Sequence, residues 1–429
     1  MLPNPKRRAN GRTQELYDYY AGYSPEFVRA ALEHAQQEQG SVIADPWNGA
    51  GTTTRIAAER GYCPKGYDLN PVMVIVAKAA LLTPTVRPST LPLARDILKK
   101  AKALTKTEDY SEPLLRWFAT STATRIRGIE LAIQELLVPV CNRGQVSRQS
   151  TLEGISSLAA FYYTALFRIT RNLTRSFRSS NPTWISQAER PLMIPGAILD
   201  RLFSREIISM ETALGTIPAA ERCEATIGLA NSCALPLSDE SVDVVLSSPP
   251  YCTRIDYAIA TLPELAVLNF SDNEIRKLRE SLIGSPTVGG EAVRPDPNWG
   301  QTCEAFLAAV QRHPSKGSQG YYMPVFRRYF REIYASLAEI RRITRVDGHV
   351  FLVVQDSSYK EIHNDVPTVV QEMAASFGFE LIARSDFMMA NPIRNINSRS
   401  RAYRSTTATT ESVLHLRAPG PGIGEGLCK

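Results

Sequence analysis

The chain has 429 residues, seven cysteines, five histidines and a formal net charge of +6. This length exceeds that of a typical single domain, so we expect one large α/β domain with an insertion, or two domains. The cysteines form no C-x-x-C pair, which argues against a metal site and a disulfide framework and fits a reducing compartment. Because we find no signal peptide and no long apolar run, the sequence predicts a cytoplasmic protein without a membrane partner.

The first part of the chain alternates strand and helix signals. The first dozen residues are basic and predict a loose arm. A helix follows Ser24 as its N-cap, and a buried strand at 41–46 leads through a glycine turn into a helix that ends at Gly61. A second strand ends at Asp68 and is followed by another helix. This order is typical of a nucleotide-binding α/β half with a mostly parallel, twisted sheet.

The pattern changes in the middle of the chain and then resumes. Residues 85–224 predict long helices with few strand signals. From 225 the β/α alternation returns, with a buried strand before residue 248 and closing strands near the end of the chain. Residues 284–320 are rich in Gly, Pro and Ser and predict a mobile loop.

The stretch Asp45-Pro46-Trp47-Asn48-Gly49-Ala50-Gly51-Thr52 follows the first strand. Its two glycines let the backbone approach a ligand closely, and the next helix offers free N–H groups to a carboxylate or phosphate. Asp68, at the end of the second strand, is placed to accept hydrogen bonds from ribose hydroxyls. No G-K-[ST] follows, which argues against a P-loop. Taken alone, the stretch fits a tight turn without a ligand equally well.

The tetrapeptide Ser248-Pro249-Pro250-Tyr251 ends the buried strand. Proline has no N–H to donate, so the strand's hydrogen-bonded ladder stops here, leaving a hydroxyl, rigid carbonyls and an aromatic ring at the strand end. An edge-strand terminator is the structural alternative for this motif.

Together, D-P-x-x-G-x-G-T and S-P-P-Y resemble the S-adenosylmethionine-dependent amino-methyltransferases of DNA. The resemblance covers roughly 12–84 and 225–418. It implies a Rossmann-like methyltransferase with a cofactor-binding half at 12–84, a helical insertion at 85–224 for target recognition and DNA contact, and a catalytic half at 225–418. S-adenosylmethionine would be the methyl donor, and no metal is implied.

The resemblance also implies residue roles. Ser248 and the Pro249 carbonyl would accept the two hydrogens of an exocyclic amine, and Tyr251 would stack on an extruded base. The family's polar contact to adenine is commonly Asp, whereas this chain has Asn231 and Ser232; for Tyr23 and Ser24, helix capping is an equal alternative. The complete catalytic set is Ser248, Pro249, Pro250 and Tyr251, and the cofactor-binding set is Tyr23, Ser24, Asp45, Pro46, Gly49, Gly51, Thr52, Asp68, Asn231 and Ser232.

Two basic stretches are candidates for DNA contact. Four arginines between 161 and 186 fall at spacings of three and four, which predicts one face of a helix, with no acid in the stretch and an aromatic residue beyond it. The alternatives are a solvated helix face for the first stretch and a disordered surface loop for the second, at 391–410. The candidate residues are Arg168, Arg171, Arg175, Arg178 and Trp184, and, in the second stretch, Arg394, Arg399 and Arg401.

The leading hypothesis is methylation of cytosine N4 in a specific sequence of double-stranded DNA, with a cognate restriction endonuclease as a potential partner. Adenine N6 of DNA and an amino group of tRNA are alternative targets of the same chemistry. A DNA-binding subunit with a relic fold is the non-enzymatic alternative. Methylation of cytosine carbon-5 is disfavoured because the chain contains no Pro-Cys dipeptide for the nucleophile that this reaction needs.

Overall fold

The structure is a computed structural model that describes residues 2–6, 16–17, 22–104, 112–143, 149–179, 184–214, 225–252, 255–285, 293–389 and 409–420. Within these ranges lie a seven-stranded sheet and a two-stranded hairpin. The strands are β1 (Val42–Asp45), β2 (Cys63–Asp68), β3 (Thr226–Leu229), β4 (Val242–Ser247), β5 (Thr344–Gln355), β6 (Ser357–Tyr359), β7 (Ile362–Asn364), β8 (Glu380–Met389) and β9 (Thr409–Arg417).

The main sheet has the strand order β3-β2-β1-β4-β5-β9-β8. Neighbours from β3 to β5 pair in parallel, whereas β9 is antiparallel to both β5 and β8. The order reverses direction between β1 and β4, and ligands of open α/β sheets bind outside the carboxyl ends of the strands at such a switch point. The mostly parallel α/β fold predicted from the sequence is confirmed.

The helices cover both faces of the sheet and build a separate helical layer. They are α1 (Pro25–Ala35), α2 (Thr52–Glu59), α3 (Pro71–Ala80), α4 (Arg87–Ala103), α5 (Thr120–Leu137), α6 (Gln149–Gly154), α7 (Ser157–Leu173), α8 (Gly196–Glu211), α9 (Tyr257–Ala260), α10 (Leu262–Val267), α11 (Asp272–Ser281), α12 (Gln301–Arg312), α13 (Met323–Ile343) and α14 (Val366–Ser376).

Side chains of the central strands point alternately to the two faces of the sheet and pack into a separate apolar core on each face. In β4, Val244 and Leu246 pack with Phe27 of α1 and Ile56 of α2 on one face. Val245 points to the other face, where α12, α13 and α14 lie. Since successive strand residues face opposite sides, a central parallel strand must be apolar at nearly every position, and β4 meets that requirement.

The helices between 87 and 211 share one apolar core with α3 and α10. Among the described residues of 85–224, no segment joins the main sheet. These helices therefore form a layer outside the sheet that packs against α3.

Three expectations are wrong. The stretch 284–320 is not a loop throughout, because α12 lies within it and buries Phe306 and Leu307 against α13; the Gly, Pro and Ser residues flank this helix. The N-terminus is not loose throughout, since the Ser24 N–H donates to the Pro5 carbonyl at 2.7 Å. Cys63 is disulfide-bonded, whereas the described Cys141, Cys233, Cys252 and Cys303 are free.

Membrane-spanning potential is slight in the described part of the chain. No single helix there combines the length and apolar character needed to cross a bilayer, although the bent pair Pro71–Ala80 and Pro84–Ala103 passes by length and composition alone.

Candidate active site

The turns after β1, β2 and β4 converge on one cavity. The empty space between its walls is about 890 Å³, a figure that includes open solvent at its mouth. Both sequence motifs therefore meet at the switch point of the sheet. The predicted site residues that line the cavity are Tyr23, Asp45, Pro46, Gly49, Thr52, Asp68, Ser232, Ser248, Pro249, Pro250 and Tyr251.

Asp45 connects the two motifs. Its carboxylate accepts hydrogen bonds from the Ser247 hydroxyl at the end of β4, from the Trp47 N–H at 3.2 Å and from the Tyr23 hydroxyl at 3.1 Å. Burial raises the pKa of Asp45, and these donors oppose that shift. The carboxylate thus ties the ends of β1 and β4 together beneath the cavity floor.

Asp68 lies on the cavity wall at the end of β2. One carboxylate oxygen accepts the Gly49 N–H at 3.0 Å and the other accepts the Asn70 N–H at 2.8 Å. Burial raises the pKa of Asp68 to about 6, although both N–H donors favour its ionised form. A carboxylate held this way at the end of the second strand is positioned to accept hydrogen bonds from a ligand's hydroxyls.

Gly51 supports the site without lining it. It caps α2 with φ of 82°, and a Cβ atom there would lie 2.8 Å from the Cβ of Ala77 on α3. Only glycine fits this conformation and this close packing. Gly51 thus allows the N-terminus of α2 to pack closely against α3, next to the turn that carries Gly49.

All four residues of the tetrapeptide line the cavity. The Ser248 hydroxyl donates to the Val353 carbonyl of β5 at 3.0 Å, and it also interacts with the Tyr251 hydroxyl. The Pro250 carbonyl accepts the Tyr329 hydroxyl at 3.0 Å. Within the described ranges, no donor reaches the Pro249 carbonyl. The Pro249 oxygen is therefore without a donor in this part of the structure.

Tyr251 is held at both ends. Its backbone N–H donates to the Tyr257 hydroxyl at 3.3 Å, and its own hydroxyl donates to Glu411 at 2.7 Å. Burial, with the nearby carboxylate, raises its pKa well above the ordinary value, so the ring is a neutral phenol. Tyr257, Tyr329 and Glu411 were not found by sequence reasoning, because each comes from a segment without a motif.

Some predicted cofactor residues have structural partners instead. The Ser24 hydroxyl accepts the Phe27 N–H at 3.2 Å and caps α1, as the capping alternative predicts. Asn231 accepts the Cys233 N–H at 3.0 Å and does not line the cavity. Ser232 does line it, and its hydroxyl is 2.9 Å from that of Ser336.

Two other residues that line the cavity were not predicted as site residues from the sequence. Asn70 caps α3 and donates to the Thr261 hydroxyl at 2.9 Å, joining the β2 turn to the segment after Tyr257. Trp47 lines the cavity, and its buried indole N–H meets no acceptor among the described residues. Trp47 lay within the predicted motif, but nothing in the sequence showed that its ring would face the cavity.

The four arginines of the first basic stretch do not form one helix face, and this expectation is wrong. Helix α7 ends at Leu173, and Arg175 begins a short 3-10 turn. Arg168 pairs with Glu206 of α8 at 2.7 Å, and Arg171 pairs with Glu264 of α10 at 2.9 Å. The acids missing from the local sequence come from other helices, a pairing that spacing within one segment does not reveal.

The remaining candidates for DNA contact differ in exposure. Arg178 donates to the Ala260 carbonyl at 3.2 Å and lies 4.0 Å from Glu264. Arg175 is exposed, and Trp184 is 65% exposed. DNA contact by any of these residues stays a prediction. Arg394, Arg399 and Arg401 lie outside the described residues.

In the described ranges, no group of three or more His, Cys, Asp or Glu side chains could hold a metal ion. The carboxylate of Asp68, the backbone of Gly49 and the apolar side chain of Met73 instead offer hydrogen bonds and contact area along one wall.

Comparison with known proteins finds distant relatives. The chain is 24% identical over 289 residues to the Type II methyltransferase M.BsoBI of Geobacillus stearothermophilus, covering 62% of this chain and 54% of that protein. It is 25% identical over 150 residues to the Type II methyltransferase M.AvaI of Nostoc sp., covering 32% and 31%. The chain thus matches about half, or less, of the length of these relatives. No family model matches.

Proposed function

We propose, on the premise that this chain is a distant relative of Type II DNA methyltransferases as its motifs predicted, that it transfers a methyl group to an exocyclic amine of a base in double-stranded DNA. The observation that carries the proposal is the meeting of the 45–52 turn, Asp68 and the 248–251 tetrapeptide around one cavity. Cytosine N4 is the favoured target, within a specific sequence protected as part of a restriction–modification system.

The acceptors at the end of β4 suit the chemistry of an exocyclic amine. Delocalisation into the base ring makes the amine nitrogen a poor nucleophile. Oxygens that bind both amine hydrogens favour tetrahedral nitrogen and direct its lone pair to the methyl donor. We assign this role to the Ser248 oxygen and the Pro249 carbonyl, which proline's fixed φ would hold rigidly.

The other wall of the cavity fits S-adenosylmethionine, which supplies an electrophilic methyl group on a sulfonium. Asp68 would accept hydrogen bonds from the ribose hydroxyls, and Gly49 would allow close approach of the backbone. Thr52 begins α2 beside the cavity, where the helix N-terminus favours a carboxylate. Bringing both substrates to one cavity supplies much of the acceleration through proximity.

The choice of target base is argued from the tetrapeptide motif. S-P-P-Y is found more often with cytosine N4 than with adenine N6. A serine that donates to cytosine N3 would strengthen this choice, but the Ser248 hydroxyl already donates to Val353. Cytosine N4 is therefore proposed on the motif, with adenine N6 and a tRNA amine as alternative targets.

We propose that the helical insertion contacts DNA. Arg175 and Trp184 are its exposed cation and exposed indole near α7, suited to a phosphate and a sugar or base. Because Arg168, Arg171 and Arg178 are engaged with carboxylates or carbonyls, we expect them to contribute less. A cognate endonuclease and a cytoplasmic location belong to the same proposal.

The test is to express the protein in a host that lacks DNA modification, digest the DNA to nucleosides and identify the methylated product. N4-methylcytosine is expected, and sequencing that detects modified bases would give the recognition site. N6-methyladenine would move the assignment to the adenine alternative. Host DNA without methylation, together with no cofactor binding by the purified protein, would favour the relic DNA-binding alternative.

A further inference from the structure

A buried carboxylate anchors the aromatic ring of the tetrapeptide. Glu411 lies on β9, and its side chain is fully buried. One of its oxygens accepts the Tyr251 hydroxyl at 2.7 Å, the length of a charge-assisted O–H···O⁻ hydrogen bond. The ring that faces the cavity is therefore tied to a strand from the far end of the chain.

A lysine from the N-terminal segment completes this cluster. The Lys6 ammonium lies 3.9 Å from the same Glu411 oxygen and 5.6 Å from the centre of the Tyr251 ring. It also donates to the Gly22 carbonyl at the cavity wall, at 3.1 Å. The ammonium is thus placed as the counter-ion of the buried carboxylate, on the approach to the aromatic ring.

Burying the ionised carboxylate of Glu411 costs folding free energy. Burial raises the pKa of Glu411, and Lys6 and the Tyr251 hydrogen bond oppose the shift. An apolar residue of similar size would often serve stability as well as a buried ion pair does. The glutamate's distinctive effect is instead on Tyr251, whose position it constrains.

We propose that Glu411 is a positioning residue, which fixes the Tyr251 ring for stacking on the extruded base, with Lys6 as its counter-ion. The inference rests on the proposed function and adds two residues to it. Tyr251 is then held at its backbone by Tyr257 and at its hydroxyl by Glu411, so the ring cannot tilt away from the space beside Ser248. Stacking on a held ring costs less conformational entropy than stacking on a mobile one.

The experiment compares wild type, Glu411→Gln, Tyr251→Phe and the double variant in turnover at saturating substrates and in cofactor affinity. Because Glu411→Gln removes the charge of the acceptor and Tyr251→Phe removes the donor, we expect each single variant to lower kcat by about tenfold to about a hundredfold, with unchanged cofactor affinity. The double variant should be about as active as Tyr251→Phe, since both substitutions act on the same bond.

Glu264→Gln is the matched control. It alters another fully buried glutamate that accepts a tyrosine hydroxyl, at 2.6 Å from Tyr17 of the helical core. It should lower thermal stability while leaving kcat per folded molecule unchanged. Full kcat in Glu411→Gln, or losses that multiply in the double variant, would overturn the proposal.

A second readout separates positioning from general damage. With a fluorescent base analogue at the methylated position, Glu411→Gln should shift the emission toward that of Tyr251→Ala, and Glu264→Gln should leave it at the wild-type value. Emission of Glu411→Gln at the wild-type value would contradict the proposal. If Glu411→Gln does not fold, Tyr251→Phe tests the same bond by the same readouts. A wild-type protein without methyl transfer would instead reject the proposed function.

Discussion

The Tyr251–Glu411–Lys6 cluster at the cavity and the Tyr17–Glu264–Arg171 cluster in the helical layer contain the same three kinds of group. In each, a tyrosine donates to a fully buried glutamate, at 2.7 and 2.6 Å, and a cation lies over the tyrosine ring, at 5.6 and 5.2 Å from its centre. The groups alone therefore do not assign a function.

The two clusters differ in their cations and in their surroundings. Arg171 donates to Glu264 at 2.9 Å, whereas Lys6 is 3.9 Å from Glu411, too far for a hydrogen bond. Tyr17 belongs to the helical core, whereas Tyr251 lines the cavity beside the free Pro249 carbonyl. The comparison indicates that the helical cluster joins helices and the cavity cluster orients a ring. Variants of each region should therefore affect different properties.

The largest effect is expected at the helical cluster. Glu264→Gln removes the buried carboxylate that neutralises Arg171 and leaves a partly buried cation, which costs about 3 kcal/mol of unfolding free energy. Chemical denaturation measures the loss. A stability equal to that of wild type would show that the helical cluster does not hold α7 to α10.

Ser248→Ala, in contrast to Glu264→Gln, should lower turnover and leave stability nearly unchanged. Removing one amine acceptor should lower turnover by about a hundredfold, or about 2.7 kcal/mol, with little change in stability. Cofactor affinity, measured by calorimetry, should remain at the wild-type value because the proposal assigns Ser248 to the base and not to the cofactor. Unchanged turnover would refute the assigned role.

Cofactor affinity should depend on pH through Asp68, whose pKa is about 6. In its proposed role the ionised carboxylate accepts hydrogen bonds from ribose hydroxyls, so affinity should fall as pH decreases through about 6. The contribution of Asp68 to folding stability depends on pH in the opposite direction, because its pKa is higher in the folded than in the unfolded chain. This contribution is present in full below about pH 4 and is lost as pH rises through about 6. Asp68→Asn should bind weakly with no dependence in this window; a wild-type pH profile in Asp68→Asn would contradict the assignment.

The smallest effect is expected at the exposed arginine of the helical layer. Arg175→Ala should weaken DNA binding modestly and reduce the slope of log affinity against log salt by about 1, because one phosphate contact is lost. Arg312→Ala, an exposed arginine on α12 outside the helical insertion, is the control and should leave the slope unchanged. Equal slopes for both variants would remove Arg175 from the DNA interface.

The local sequence determined the strands, most helices and the two loops that meet at the cavity. Asp45, Gly49 and Asp68 could be placed because turn chemistry and strand ends are local properties, and parallel strands bring their carboxyl ends to one edge. Helix α12 was missed because Gly and Pro at its ends outweighed the apolar spacing of Phe306 and Leu307.

Only the tertiary structure decided which partners these residues meet. Glu411 reaches Tyr251 across 160 positions of sequence, and Glu264 reaches Arg171 across 93. Neither pairing is visible in a local pattern, because hydrogen bonds and ion pairs between distant segments depend on how helices and strands pack. The sequence therefore identified the groups able to do the chemistry, and the fold decided which of them are free to do it.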